Sequence, residues 1–357
     1  MIETILVFKI LLPTIVAFIL GISLTPIFSH IFYKYKLWKR SSRTDHSNQG
    51  KLGGMGTEFE KIHNIDETKT PRIGGTIVWF SVVLTVFLSI ITSSVLSQIG
   101  LENIEFISRN QTLIPFLSLL LGAFLGLIDD LLQIYGNQKQ LAIGIPRRIR
   151  IMFVLFVGAI EGLWFYYRLG YRSIDVPFTD VDITLGYFFI FFVMFVVLAL
   201  FSSGVIDGVD GLAGGVFISI FASYGFIGII QGQFDIATFS FVVVGALLAF
   251  LWFNIPPARF YLGETGVLGL TLSLAVIIFL TNTVVEFIII GLPLILTTAS
   301  SLVQIISRRF FSKKVLKVAP LHHHLETIGW SRAKITMRYW VFSVMCSALG
   351  IIIVIIG

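Results

Sequence analysis

Residues 184–230 read TLGYFFIFFVMFVVLALFSSGVIDGVDGLAGGVFISIFASYGFIGII, two uncharged apolar runs divided only by the short junction 204–210. Each run has the length of about 20 residues that a helix needs to cross the hydrocarbon core of a bilayer. A strand of that length would be unusual, and a soluble helix would keep one polar face. The junction carries two carboxylates, Asp207 and Asp210, with no polar padding on either side. Two membrane spans that turn around a pair of acids are therefore the starting point.

The rest of the chain repeats the pattern. Of 357 residues, 56% are hydrophobic and 13% charged, with mean hydropathy +0.91. Soluble domains carry roughly 25% charged residues, so most of this chain must face lipid or other helices. Ten apolar stretches can be marked, at 5–32, 74–98, 112–128, 151–167, 184–203, 211–230, 237–254, 266–281, 284–306 and 339–356. The expected fold is all-α: one polytopic membrane domain over residues 1–357, with about ten transmembrane helices and no soluble domain. The first stretch is too long for a signal-peptide core and reads as a retained span. The single cysteine, Cys346, can form no disulfide within the chain.

Charge placement orients the spans. Loops 33–73, 129–150, 204–210, 255–265 and 307–338 fall on one side and hold 22 of the 26 Lys and Arg residues. By the positive-inside rule that side is cytoplasmic, and both termini are extracytoplasmic. The net charge of +6 thus reads as a membrane-orienting signal, and no nucleic-acid partner is expected. The segment 41–70, rich in Ser, Asn, Gly and charge, reads as a loop without secondary structure.

Every notable polar cluster falls on this basic side. Asp129 and Asp130 in GLIDDLL end the third span. Adjacent carboxylates beside an apolar run need a cation, a proton or solvent, so they mark a metal or phosphate-handling site or a solvated helix end. Asp207 and Asp210, at i and i+3, share one helical face ahead of a helix N-terminus, a place that favours anions. The segment FNIPPARFYLGETG carries Asn254, Arg259 and Glu264. Glu264 suits either a site or an ordinary acid at a helix start. APLHHHLETIGW carries His322, His323 and His324. Metal binding by these histidines is open, while neighbouring cations favour an anionic ligand such as phosphate. Lys69 precedes and Arg72 lies within the TPRIGG turn, Thr70 to Gly75, before the second span. Glu161 lies inside the fourth span, and an acid at such depth is a functional candidate by default. Acids and cations on one membrane face suit phosphoryl transfer, in which a hard cation such as Mg²⁺ takes carboxylate and phosphate oxygens. A transporter is disfavoured, because transporter sites tend to lie near the bilayer midplane.

At GLIDDLL, IDGVDGLAGG, FLWFNIPPARFYLGETG and APLHHHLETIGW the chain resembles the polyprenyl-phosphate N-acetylhexosamine-1-phosphate transferases. The histidine block is the most specific element and points to the branch whose donor is UDP-N-acetylmuramoyl-pentapeptide. The resemblance implies ten spans with both ends outside, in the bacterial cytoplasmic (inner) membrane. It implies attack by undecaprenyl phosphate on the donor β-phosphate, with release of UMP, formation of lipid I and a requirement for Mg²⁺. Asp129, Asp130, Asp207 and Glu264 would be catalytic, with Glu264 at the place of the family's metal-binding aspartate. Lys69, Lys139, Asp210, Asn254, His322, His323 and His324 would bind substrate. The lipid bilayer is a further partner, and a homodimer follows from the habit of the family. A sister transferase with a peptide-free donor, or a non-catalytic scaffold, are the competing readings. The chain departs from the family pattern with Glu264 for Asp, Gln133 for a lysine that Lys139 would replace, Phe201 and Gly204 for two asparagines, and Val267 for a serine. These departures and the TPRIGG turn allow the first reading, and the lost lysine and asparagines motivate the second.

Overall fold

The computed structural model describes residues 2–38, 70–98, 106–108, 111–136, 144–179 and 181–357. The segment expected as a loop at 41–70 lies outside them except for Thr70, and Lys69 and Lys139 lie outside as well.

The described residues are overwhelmingly helical, in accord with an all-α polytopic membrane protein. The helices are α1 (Ile2–Lys34), α2 (Gly75–Gln98), α3 (Leu113–Tyr135), α4 (Arg147–Trp164), α5 (Phe188–Ser203), α6 (Leu212–Ile230), α7 (Phe234–Asn254), α8 (Gly263–Leu280), α9 (Phe287–Ile290), α10 (Leu292–Phe311), α11 (Leu321–Thr327) and α12 (Arg332–Ile356). A two-stranded antiparallel ribbon, β1 (Ser173–Ile174) with β2 (Ile183–Thr184), links α4 to α5.

Among the described residues nine helices are long and apolar enough to cross a membrane: α1 to α8 and α12. The stretch expected at 284–306 is instead broken at Gly291 into the single turn α9 and the helix α10. Arg308 and Arg309 in its last turn lower its apolarity. Its end contacts run it alongside α12, and its length is that of a span. Ile290, just before α10, packs on Gly350 near the end of α12. At the other end Ser300 Oγ accepts Leu321 N–H at 2.9 Å, and Gln304 bonds the backbone of Val315 and Leu316, beside the start of α12. Twenty residues rise about 30 Å, the thickness of the hydrocarbon core. Both chain ends accordingly share one face. Lys9 in α1 pairs with Asp235, in the first turn of α7, at 2.7 Å, and Gly357 lies against Pro177 and Phe178 of the α4–α5 connection.

Helix α8 is the centre of the bundle. Of its 18 residues, all but Glu264 are buried. A helix that is apolar all round is buried all round, and the one residue left uncovered marks where the bundle opens. In lipid, apolar faces gain little by leaving the solvent, so close backbone approach through small residues holds helices together. Gly122 and Gly126 of α3 lie directly on the α8 backbone at Leu268 and Glu264, and Gly75 of α2 lies on Gly266. No side chain fits at these three crossings. Large apolar side chains such as Phe124, Phe191, Phe195 and Trp252 stay exposed, as lipid-facing residues do.

Candidate active site at the α8 N-terminus

The first backbone N–H groups of a helix have no intrahelical partner and attract negative charge. At α8 two acids from elsewhere in the chain fill that role. Asp207, from the α5–α6 junction, accepts Gly263 N–H at 2.9 Å on Oδ2. Asp130, from α3, accepts Thr265 N–H at 2.9 Å and the Thr265 hydroxyl at 2.7 Å, both on Oδ2. Glu264 stands between them on α8 itself. Gly263 has φ +69°, and a Cβ there would strike Arg72 O and Asp130 Oδ2. Only glycine lets these chains meet.

Asp129 and Asp130 are wholly buried, because α3 continues to Tyr135 beyond them. The solvated-end alternative therefore fails. Neighbouring residues on a helix project about 100° apart, so the pair divides its work. Asp130 faces α8. Asp129 faces the chain entering α4: it accepts Ile145 N–H at 2.5 Å and Gln133 Nε2 at 2.7 Å. Asp130 Oδ1 is buried with no hydrogen-bond partner.

Two guanidinium groups offset this charge. Arg72 interacts electrostatically with both Asp130 and Asp207. Arg150, from the first turns of α4, reaches Glu264 Oε1 at 2.8 Å and Asp129 Oδ2 at 3.4 Å. Burial raises the Asp207 carboxyl to about 6, against the opposing pull of the Gly263 hydrogen bond and Arg72; Glu264 and Asp210 add smaller upward pushes. An open cleft beside Asp207 is lined by Arg72, Gly208, Val209, Asp210, Tyr261 and Arg332.

The junction that carries Asp207 is fixed from three directions. Asn254 accepts Gly211 N–H on Oδ1 at 2.9 Å and donates to Phe260 O at 2.8 Å. Thr336 donates to Asp210 O at 2.9 Å, and Trp340 Nε1 to Gly211 O at 3.0 Å. Asp210 accepts Ala258 N–H at 3.1 Å. Asn254, expected to bind substrate, thus has both ends of its amide in backbone hydrogen bonds.

The histidine block closes the site over Gly208. The Nε2 atoms of His322 and His323 would lie 2.6 and 2.9 Å from a Cβ at that position. The two rings sit 4.3 Å apart. His323 Nδ1 meets Glu326 Oε2 at 2.7 Å, and Glu326 Oε1 accepts from Arg332 Nε at 2.9 Å. This fixes the ring so that Nε2 faces the junction. His324 turns elsewhere and accepts Lys317 N–H at 3.3 Å.

Sequence reasoning missed Arg150, Tyr261 and Arg332. Each lies in a stretch whose basic or aromatic residues read as ordinary membrane-edge composition. Glu161 is buried, accepts Ser118 Oγ at 2.6 Å, and lies within α4, apart from the site.

Among the described residues no three His, Cys, Asp or Glu side chains converge on a metal-sized point. Magnesium seldom uses an all-protein cage: one or two carboxylates plus substrate phosphates suffice. Glu264, a third exposed, and the partnerless Asp130 Oδ1 meet that smaller demand.

A family model described as "Glycosyl transferase family 4" matches residues 112–282. That range holds α3 to α8 and the three acids around the α8 N-terminus. Similar proteins extend the match outward to the histidine block. A phospho-N-acetylmuramoyl-pentapeptide-transferase of Latilactobacillus sakei is 31% identical over 336 residues, covering 93% of this chain and 96% of the relative. Proteins of the same name from Geobacillus sp. and Bacillus subtilis are 29% and 27% identical, each over 99% of both chains. Identity sustained from the first helix to the last, across every element that builds the site, shows that the chain belongs to the phospho-N-acetylmuramoyl-pentapeptide-transferase family.

Proposed function

We propose that the protein transfers phospho-N-acetylmuramoyl-pentapeptide from its UDP-linked donor to undecaprenyl phosphate in peptidoglycan synthesis. An oxygen of the lipid phosphate attacks the donor β-phosphorus. The bond from that phosphorus to the bridging oxygen breaks, UMP leaves, and lipid I forms. The observation that carries the reading is the set of Asp130, Asp207 and Glu264 around one helix N-terminus, flanked by Arg72 and Arg150, at one end of a membrane bundle. A water-soluble nucleotide and a membrane-held phosphate can meet only at such an edge.

The residues divide the task. Arg72 and Arg332 line the cleft and pair with phosphate oxygens through charge-assisted hydrogen bonds. Asp207 lies in the same cleft with a carboxyl raised to about 6, close enough to neutrality to take a proton from the attacking phosphate. His322 and His323 pack on Gly208 and bound the nucleotide end of the cleft. Glu264 and Asp130 would hold Mg²⁺, which when bound supplies positive charge to the transferring phosphoryl group. Asp129 holds Ile145 and thereby the start of α4. The excess of basic residues on the site's side supports a cytoplasm-facing site, and the family likeness supports the bacterial inner membrane.

The test is UMP release by purified protein in detergent with undecaprenyl phosphate, Mg²⁺ and UDP-N-acetylmuramoyl-pentapeptide. UDP-N-acetylglucosamine and an Asp207→Asn variant run beside it. Release with the muramoyl donor only, lost in the variant, is expected. Release with UDP-N-acetylglucosamine only would move the assignment to a sister transferase. No release with either donor from folded protein would overturn the transferase reading.

A further inference from the structure

Glu264 carries two demands that exclude each other. It is the one residue of α8 open to the site, and its Oε1 is already held by Arg150 at 2.8 Å. A carboxylate paired with a guanidinium is a poor ligand for a divalent cation, because the neighbouring positive charge repels the metal. Arg150 in turn is under-used. Its Nη1 serves Glu264 and, at 3.4 Å, the edge of Asp129. Its Nε is buried and has no hydrogen-bond partner. Asp129 keeps two closer donors, Ile145 N–H and Gln133 Nε2, so it does not depend on Arg150. A guanidinium with an unmet donor, at the rim of a phosphate site, matches the two-oxygen edge of a phosphate.

We propose that Arg150 is an exchangeable counter-ion of Glu264, which holds the carboxylate in the substrate-free protein and turns to the donor's diphosphate when a divalent cation takes Glu264. This rests on the transferase reading and adds an order to it: cation and diphosphate bind together, each removing what opposes the other. It also gives a phosphate-directed cation to a chain whose residue 133 is glutamine. Arg150 and Gln133 reach the same oxygen of Asp129, Oδ2.

The experiment measures Mn²⁺ binding to the full-length protein in detergent by electron paramagnetic resonance, with and without UDP, corrected for the Mn–UDP complex. Wild type should bind Mn²⁺ weakly alone and about tenfold more tightly with UDP, the scale of removing one nearby charge. Arg150→Gln should bind Mn²⁺ alone about tenfold more tightly than wild type, and UDP should add little further. Unchanged or weaker Mn²⁺ binding by folded Arg150→Gln overturns the proposal while leaving the transferase assignment intact. Should Arg150→Gln not fold, Arg150→Met carries the test: it keeps the apolar stem and removes the charge, so Mn²⁺ affinity should still rise about tenfold, and no rise overturns the proposal. Glu264→Gln should abolish the tight site. If it binds Mn²⁺ as wild type does, the cation is not at Glu264, and both the metal assignment and the exchange fall. UMP release by wild type reports separately on the transferase reading.

Discussion

Val267 Cγ1 lies 2.6 Å from where a Cβ on Gly204 would stand. Two departures from the family pattern, far apart in sequence, are therefore one replacement in space. The absence of a side chain at 204 leaves room that the branched Val267 fills.

Gly204→Asn alone should destabilise the protein by about 1–3 kcal/mol, because the new side chain overlaps Val267 in a packed interior. Val267→Ser in the same chain should recover at least about 0.5 kcal/mol of that loss through coupling. Thermal unfolding midpoints of the wild type, both single variants and the double variant check this. Additive effects would show the two positions to be independent.

Asp207 makes stability depend on pH in a defined direction. Its carboxyl is raised from 3.8 to about 6, so the native state holds a proton that the unfolded chain releases. The contribution of that proton is fully present below about pH 4 and is lost as pH rises through about 6. In metal-free protein the unfolding midpoint of wild type, relative to Asp207→Asn, should fall across that window and level off above it. The change should be on the order of 1 kcal/mol, since the cleft is open to solvent. A difference that stays flat from pH 4 to 7 would contradict the burial of this carboxyl.

Asn254 should prove structural. Asn254→Ala leaves Gly211 N–H and Phe260 O unsatisfied in buried surroundings, at a cost of about 2–4 kcal/mol in total. The protein should unfold at a markedly lower temperature, while the KM for donor in the surviving fraction stays within about twofold of wild type. A stable variant with a strongly raised KM would instead place Asn254 against substrate.

Thr265 supplies both hydrogen bonds to Asp130 Oδ2. Thr265→Val removes the hydroxyl bond and keeps the backbone one, with a stability loss of about 1–2 kcal/mol. Turnover should fall by on the order of tenfold as Asp130 loses its orientation, with little change in KM. Thr265→Ser retains both donors and should behave as wild type, which separates orientation from bulk.

Much of the fold was legible because its causes are local. Uncharged runs of membrane length identify spans wherever they occur, and the asymmetry of Lys and Arg is a signal of direction that needs no reference to packing. The stretch at 284–306 shows the limit: its apolarity was legible, while its break at Gly291 into α9 and α10 emerged only in the fold. Asp130, Asp207 and Glu264 were legible as well, because acids at the ends of apolar runs are costly and rarely idle.

The partition of roles was not legible. Asp129 and Asp130 are neighbours with identical chemistry, and only helical rotation sends one to α8 and the other to Ile145. Arg147, Arg148 and Arg150 form one basic cluster at the start of α4, and only its docking selects Arg150 for Glu264. The apolar run of α8 carries no face by which its neighbours could be read, so its central place followed from glycine contacts with α2 and α3. By itself, then, the sequence determined the solvent in which the chain folds and the ends of apolar runs where its polar groups gather, because these depend on hydropathy and charge along the chain. The tertiary structure alone decided which acid caps which N–H and which arginine answers which carboxylate, because those pairings join residues on different elements, Asp130 with Thr265 and Arg150 with Glu264 more than a hundred positions apart, and depend on backbone approach that only packing sets.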